Sequence, residues 1–66
     1  MSEETRLRKL IEHWAEHNDE HRARFEEAAE EASSMGLDAM AQNLREAAEK
    51  AAGVSVLLRK ALETFR

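Results

Sequence analysis

The 66-residue sequence has no cysteine, no proline, no tyrosine and only two glycines. Without cysteine, no disulfide can stabilise this small chain, and no thiolate can bind a metal or attack a substrate. Because helix-breaking residues are scarce and Ala, Glu, Leu and Arg are abundant, the composition predicts an almost entirely helical protein. No apolar run approaches the ~20 residues that cross a bilayer.

Positive charge is also limited, since 14 acidic side chains outnumber 10 basic ones and the net charge is −4. Nucleic-acid binders normally concentrate basic residues on one face, whereas here they gather only near the two chain ends. A dimer that binds RNA through a shared basic face is therefore disfavoured. The acidic N-terminus lacks a signal-peptide pattern. We expect a cytoplasmic protein without membrane or nucleic-acid partners.

A single glycine divides the sequence into two helical segments. Ser2 is placed to cap the first, Gly36 suits the left-handed conformation that closes it, and Asp38 is placed to cap the second. The pattern predicts one all-α domain over residues 1–66, with helix 1 at about 3–35, a turn at 36–37 and helix 2 at about 38–65. Such a short connection forces an antiparallel two-helix hairpin. Apolar residues of helix 1 recur at steps of three and four, at Leu7, Ile11, Trp14, Phe25, Ala28, Ala32 and Met35.

The second segment is too apolar to be covered by one neighbouring helix. Residues 51–58, "AAGVSVLL", are apolar around most of the helix circumference, and such a helix must contact more than one partner. Ordering a chain of this length costs roughly 100 kcal/mol, which two alanine-rich helices cannot offset by burial. We therefore expect the hairpin to self-associate into an antiparallel four-helix bundle, as a homodimer or alternatively a tetramer.

All three histidines lie in the stretch "HWAEHNDEH", at residues 13, 17 and 21. Two imidazoles four residues apart on a helix can chelate one ion. His13, His17 and His21 are therefore candidate metal ligands. Imidazoles without thiolates suit Zn²⁺, Ni²⁺, Cu²⁺ or Co²⁺, and we expect Ni²⁺ or Zn²⁺. Because the three histidines span about two helical turns, roughly 12 Å, a complete site needs Glu16, Glu20 or a second subunit.

A structural interpretation of the same segment stands beside the metal site. Asn18 and His21 fall on the apolar stripe, opposite small residues that include Gly53 and Ser55. A buried Asn or His can fix helix register and oligomeric state without binding any ligand. The protein would then be a structural or protein-interaction dimer whose polar seam only specifies pairing. We predict no enzymatic activity, because neither a nucleophile–base pair nor a phosphate-binding loop is recognisable.

The segment "LIEHWAEHNDEHRARFEEAAEEASSMGLDAMAQNLREAAEKA" resembles a small helical-hairpin family. The resemblance covers about residues 9–62, and its specific part is Trp14, His17, Asn18, His21 and Phe25. Members of that family also occur fused to a nickel-binding accessory protein of carbon monoxide dehydrogenase maturation. The resemblance implies a nickel- or metal-associated role with His17 and His21 as ligands. The sequence resembles the hairpin alone and contains no accessory domain.

Overall fold

A computed structural model describes residues 2–65 and shows two long helices packed against each other. Helix α1 comprises Glu3–Ser34 and helix α2 comprises Asp38–Glu63. The described residues measure 52 × 16 × 10 Å and contain no strand. The predicted all-α, antiparallel two-helix hairpin is confirmed. Neither helix combines the length and the apolar character that crossing a membrane requires, within residues 2–65.

The turn between the helices is built around Gly36, as predicted. Gly36 has a φ of +79°, the left-handed conformation that glycine adopts without strain. The Leu37 amide donates a hydrogen bond to the Ala32 carbonyl at 2.9 Å, and the Gly36 amide donates to the Ser33 carbonyl at 3.0 Å. These two bonds define a Schellman motif, which satisfies carbonyls at the end of α1.

The helix N-termini differ in how they are capped. The Ser2 hydroxyl accepts a hydrogen bond from the Thr5 amide at 3.1 Å, so the predicted cap of α1 is confirmed. The prediction that Asp38 caps α2 is wrong, because α2 already begins at Asp38 and Leu37 occupies the capping position without a side-chain bond. Asp38 instead lies in the first turn, where its negative charge suits the helix dipole.

The contact between α1 and α2 is made mainly by alanine. Small side chains let the helices approach closely, and no large side chain is fully buried among the described residues. Little apolar area can therefore be buried inside one hairpin. The buried residues are Ala15, Ala29, Ala32, Ala41, Ala48 and Ala51, together with Ser55.

Several larger apolar side chains lie beside this contact, on one side of the hairpin. Residues seven apart follow one another along the same face of a helix. The row on α1 is Leu7, Trp14, His21, Ala28 and Met35, and the row on α2 is Met40, Ala47, Val54 and Ala61. We define these two rows, with the adjoining Leu10, His17 and Leu57, as the open face.

The open face leaves several of its large side chains in contact with solvent. Trp14 is 47 % exposed, Val54 is 46 % exposed and Leu57 is 67 % exposed. Side chains from both helices, including Trp14 and Val54, line one shallow groove on this face. The single hairpin thus has an alanine interior and a larger apolar surface outside it.

Candidate functional site

The three predicted ligands form a ladder of rings along α1. The rings of His13 and His17 stack with their centroids 5.4 Å apart and an angle of 19° between their planes. The rings of His17 and His21 meet edge to face at 5.3 Å and 82°. His21 in turn stacks on Phe25 at 6.2 Å and 24°. One helix therefore holds all three imidazoles in sequence, with Phe25 at the end of the ladder.

Two of the three histidines enter the open face. His17 and His21 line a shallow groove of about 330 Å³, together with Trp14, Asn18, Val54 and Leu58. His13 is exposed and does not line that groove. We expected His21 near the centre of the buried stripe, but in the single hairpin it is exposed. His21 is exposed because its row on α1 lies beside the row that packs against α2, shifted from it by one position in the sequence.

A single chain does not assemble a complete metal site. Among residues 2–65, no three side chains of the His, Cys, Asp or Glu type converge closely enough to hold an ion. His17 Nδ1 lies 3.7 Å from Glu20 Oε1, and both side chains are exposed. A bound Zn²⁺ ion keeps its nitrogen and oxygen ligands at roughly 2.0–2.2 Å. A metal site that used His17 and His21 would therefore need further ligands from another molecule.

Asn18 occupies a different environment from the histidines that flank it. Its side-chain amide donates to the Ala51 carbonyl at 2.5 Å and to Ser55 Oγ at 2.8 Å. Ser55 Oγ donates to Asp19 Oδ1 at 2.6 Å, and the Arg59 guanidinium donates to Asp19 Oδ2 at 2.6 Å. This chain of bonds joins the two helices near their middle. The predicted polar position at Asn18 is therefore satisfied within one hairpin.

The bonded network contains residues that the sequence did not single out as functional. Asp19 and Arg59 are 40 residues apart in the chain, so no local pattern relates them. The available signal was the spacing of Ser55 and Arg59, two polar residues four apart in an apolar segment. The hydrogen bond from Arg59, and then the one from Ser55, lower the pKa of Asp19 below its ordinary value. The same contact raises the pKa of Arg59.

The small residues expected to face the polar layer lie on two different sides of α2. Ala51 and Ser55 are buried against α1 and contact Asn18, as expected. Gly53 is exposed, and a Cβ atom added there would meet nothing within 4 Å. The expectation that Gly53 makes room beside a polar layer is therefore wrong, because Gly53 lies on the outer surface of the helix.

Comparison with known proteins places the chain in a family. The sequence pattern of the family described as "Domain of unknown function (DUF8180)" matches residues 7–65. An "Uncharacterized protein" from Archaeoglobus fulgidus is 45% identical over 58 residues, which cover 88% of this chain and 92% of the relative. No solved structure matches the chain. The chain belongs to the DUF8180 family, and its relative is similar over nearly its whole length.

Proposed function

We propose that this member of the DUF8180 family is a homodimeric module that binds a transition metal, nickel or zinc, through helix-borne histidines. His17 and His21 are the principal ligands, and His13 is a third, outer ligand. The observation that carries the proposal is the position of the His17–His21 pair in the groove of the open face. Dimerisation through that face would surround the pair with apolar side chains.

The surface area of the chain supports a second copy as the partner. The chain has 5247 Å² of accessible surface, whereas a compact monomer of this mass has about 4,200 Å². The excess of about 1,000 Å² matches the roughly 800 Å² that each partner buries in a stable interface. The Cα radius of gyration is 15.4 Å, compared with about 11 Å for a compact domain of this length. A second hairpin would remove the excess by covering the open face.

The arrangement of the imidazoles supports a metal as the ligand. His17 and His21 are one helical turn apart and their rings already approach edge to face at 5.3 Å. A common ion would require rotation of the two side chains so that one nitrogen of each ring lies roughly 2.0–2.1 Å from it. In the dimer, apolar side chains such as Trp14 and Val54 would exclude water and strengthen the interaction between metal and ligand. Nickel is the first ion to test, because the hairpin resembles a family whose members also occur fused to a nickel-binding accessory protein.

Calorimetric titration of untagged protein with Ni²⁺, and separately with Zn²⁺, tests the proposal. We expect micromolar or tighter binding by the parent protein and no measurable heat from His17→Ala or His21→Ala. Binding should weaken as the pH falls below about 6, because an imidazole must lose its proton to bind a metal.

The matched control is His13→Ala, which removes an exposed imidazole of the same ladder. Since His13 does not line the groove, we expect this variant to retain binding with at most a several-fold loss of affinity. Equal heats from the parent and His17→Ala would contradict the proposed site. A His13→Ala variant that loses binding as completely as His17→Ala would place the ion outside the groove.

The second candidate function is a structural or protein-interaction dimer in which the polar residues only specify pairing. The observation that favours it is the Asn18 amide, whose two hydrogen bonds to α2 need no ligand. This alternative predicts a stable dimer after treatment with a chelator and no uptake of Ni²⁺ or Zn²⁺. It also predicts that His21→Leu is at least as stable as the parent, because a leucine suits an apolar interface.

A further inference from the structure

We propose that two copies pair about a two-fold axis perpendicular to the helices, at the level of His17 and His21. Each copy then contributes its two groove imidazoles to one shared site of four. This inference rests on the proposed dimer and specifies how it is assembled. The site is incomplete in one chain, since no three ligands converge among residues 2–65.

Two hairpins that meet through their open faces have two symmetric arrangements available. With the axis along the helices, the copies are parallel, and α1 of one faces α2 of the other. With the axis across the helices, the copies are antiparallel, so that each helix faces its own equivalent. Both are closed, isologous dimers. The distribution of side-chain size and charge along the hairpin distinguishes them.

Side-chain size along the open face favours the axis across the helices. The first half of α1 presents Leu7, Leu10 and Trp14, whereas the second half presents Ala28 near its centre. An axis across the helices lays the bulky half of one copy on the thin half of its partner. An axis along the helices would set Ala28 opposite the region of Ala47 in the partner and leave a gap, which costs free energy in any interface.

Charge along the hairpin favours the same arrangement. Residues 26–50, the half that contains the turn, carry seven acidic and two basic side chains. Residues 2–12 and 59–65 form the other end, as the contact of Arg8 with the Phe65 ring shows, and carry five basic and four acidic side chains. An axis along the helices would place the two strongly acidic halves side by side. An axis across them places each acidic half beside the more basic end of the partner, which is the favourable pairing.

The level of the axis follows from the length of α1. A helix that comprises Glu3–Ser34 has its midpoint between residues 18 and 19. His17 and His21 therefore lie on either side of the midpoint, each within about 4 Å of it along the helix axis. An axis at that level brings His17 of one copy level with His21 of the partner. Four imidazoles, two from each chain, provide the four nitrogen ligands of a tetrahedral Zn²⁺ site or an imidazole-rich Ni²⁺ site.

Pulsed spin-label distances between the two copies test this arrangement, and the absence of native cysteine makes the labelling specific. The single variants are Ala23→Cys near the middle of α1 and Ser34→Cys at its end, both exposed positions. With the axis across the helices, the Ser34 positions are separated by about 45 Å along the bundle and the Ala23 positions by about 12 Å. We expect the Ser34 labels to lie at least ~15 Å farther apart than the Ala23 labels.

A dimer in which the two label pairs give the same distance would overturn the inference, because that result requires an axis along the helices. That result would not contradict the proposed dimer or its metal binding, but the two copies would be parallel. If neither labelled position showed dipolar coupling, both the proposed dimer and the shared site would be contradicted.

The stoichiometry of Ni²⁺ binding, measured by calorimetry on the parent protein, tests the sharing of the site directly. A site on the two-fold axis binds one ion per two chains, so we expect 0.5 ion per chain. One ion per chain would overturn the shared site, even where the labels confirm the antiparallel arrangement. Retention of 0.5 ion per chain by His17→Ala would also overturn it, because that variant leaves only two groove imidazoles in the dimer.

Discussion

Asn18 and His21 are three residues apart, yet the fold places them in different environments. Asn18 lies between the helices and donates two hydrogen bonds to α2. His21 lies on the neighbouring row, exposed at the open face. Because a buried polar group must be hydrogen-bonded, Asn18 is committed to the hairpin itself. The imidazole of His21 has no hydrogen-bond partner within residues 2–65 and is available to a ligand or a second copy.

Asp19 makes the stability of the hairpin dependent on pH. Its bonds to Arg59 and Ser55 lower its pKa in the folded state below the ordinary value of 3.8. The stabilisation is therefore fully present above about pH 4 and is lost as the pH falls through the lowered pKa. We predict that Asp19→Asn is less stable than the parent at pH 7 and that the difference shrinks below about pH 4. Urea unfolding of the parent and of Asp19→Asn at a series of pH values measures this difference in stability.

Glu12→Gln is the control for this prediction, since Glu12 is an exposed acid one heptad before Asp19 on the same helix face. It should leave both the stability at pH 7 and its acid dependence nearly unchanged. A difference between the parent and Asp19→Asn that stays constant from pH 7 to pH 3 would contradict the role given to the Asp19 carboxylate.

At the scale of the helices, the two glycines have opposite roles. Gly36 adopts a φ of +79°, whereas Gly53 has no positive φ and lies within α2. We predict that Gly36→Ala destabilises the protein by about 1 kcal/mol, because an alanine is strained in the left-handed region. Gly53→Ala should stabilise it by about 0.5–1 kcal/mol, because alanine is the better helix former and its Cβ meets nothing.

Thermal or urea unfolding of both variants checks the pair of predictions, and each variant serves as the control of the other. The two substitutions add the same methyl group at exposed positions. Only the backbone conformation differs, so the change in the free energy of unfolding should differ in sign. Equal destabilisation by both would contradict the open environment of Gly53.

The sequence predicts the helices well because their signals are local. The cap at Ser2, the left-handed Gly36 and the apolar spacing act within a few residues of where they stand in the chain. The same local signals could not show which of two adjacent rows on α1 packs against α2. Ala15 and Ala29 mark the row that contacts α2, whereas Trp14 and Ala28 mark the row beside it, and both rows have helical periodicity. The row with Ala15 and Ala29 packs against α2 because small side chains let the two helices approach closely.

The Asp19–Arg59 pair illustrates the second limit of the sequence. Its partners lie on different helices, and their contact depends on the register between α1 and α2. That register is set by the length of the turn and by contacts along the full hairpin. The candidate ligands, in contrast, were found from their spacing alone, because His17 and His21 share one helix. Their metal binding is a prediction that awaits measurement.

At the scale of the whole molecule, the hairpin is a thin rod whose largest apolar side chains are outside its own core. The rod is 52 Å long and 10 Å across its narrowest dimension. Trp14 lies closer to the middle of α1 than Leu7 and Leu10 do, and it is 47 % exposed. Large aromatic side chains at the centre of an interface commonly contribute most of its binding free energy. We therefore predict that Trp14 takes part in association between copies.

Sedimentation equilibrium over a range of protein concentrations is the most direct test of the central claim, that two copies cover each other's open face. We predict a mass twice that of the 7.5 kDa chain at micromolar concentration. Trp14→Ala should weaken association at least ~30-fold, equivalent to about 2 kcal/mol, whereas Gln42→Ala on the exposed outer surface of α2 should not. A well-folded single chain at the same concentrations would contradict the account.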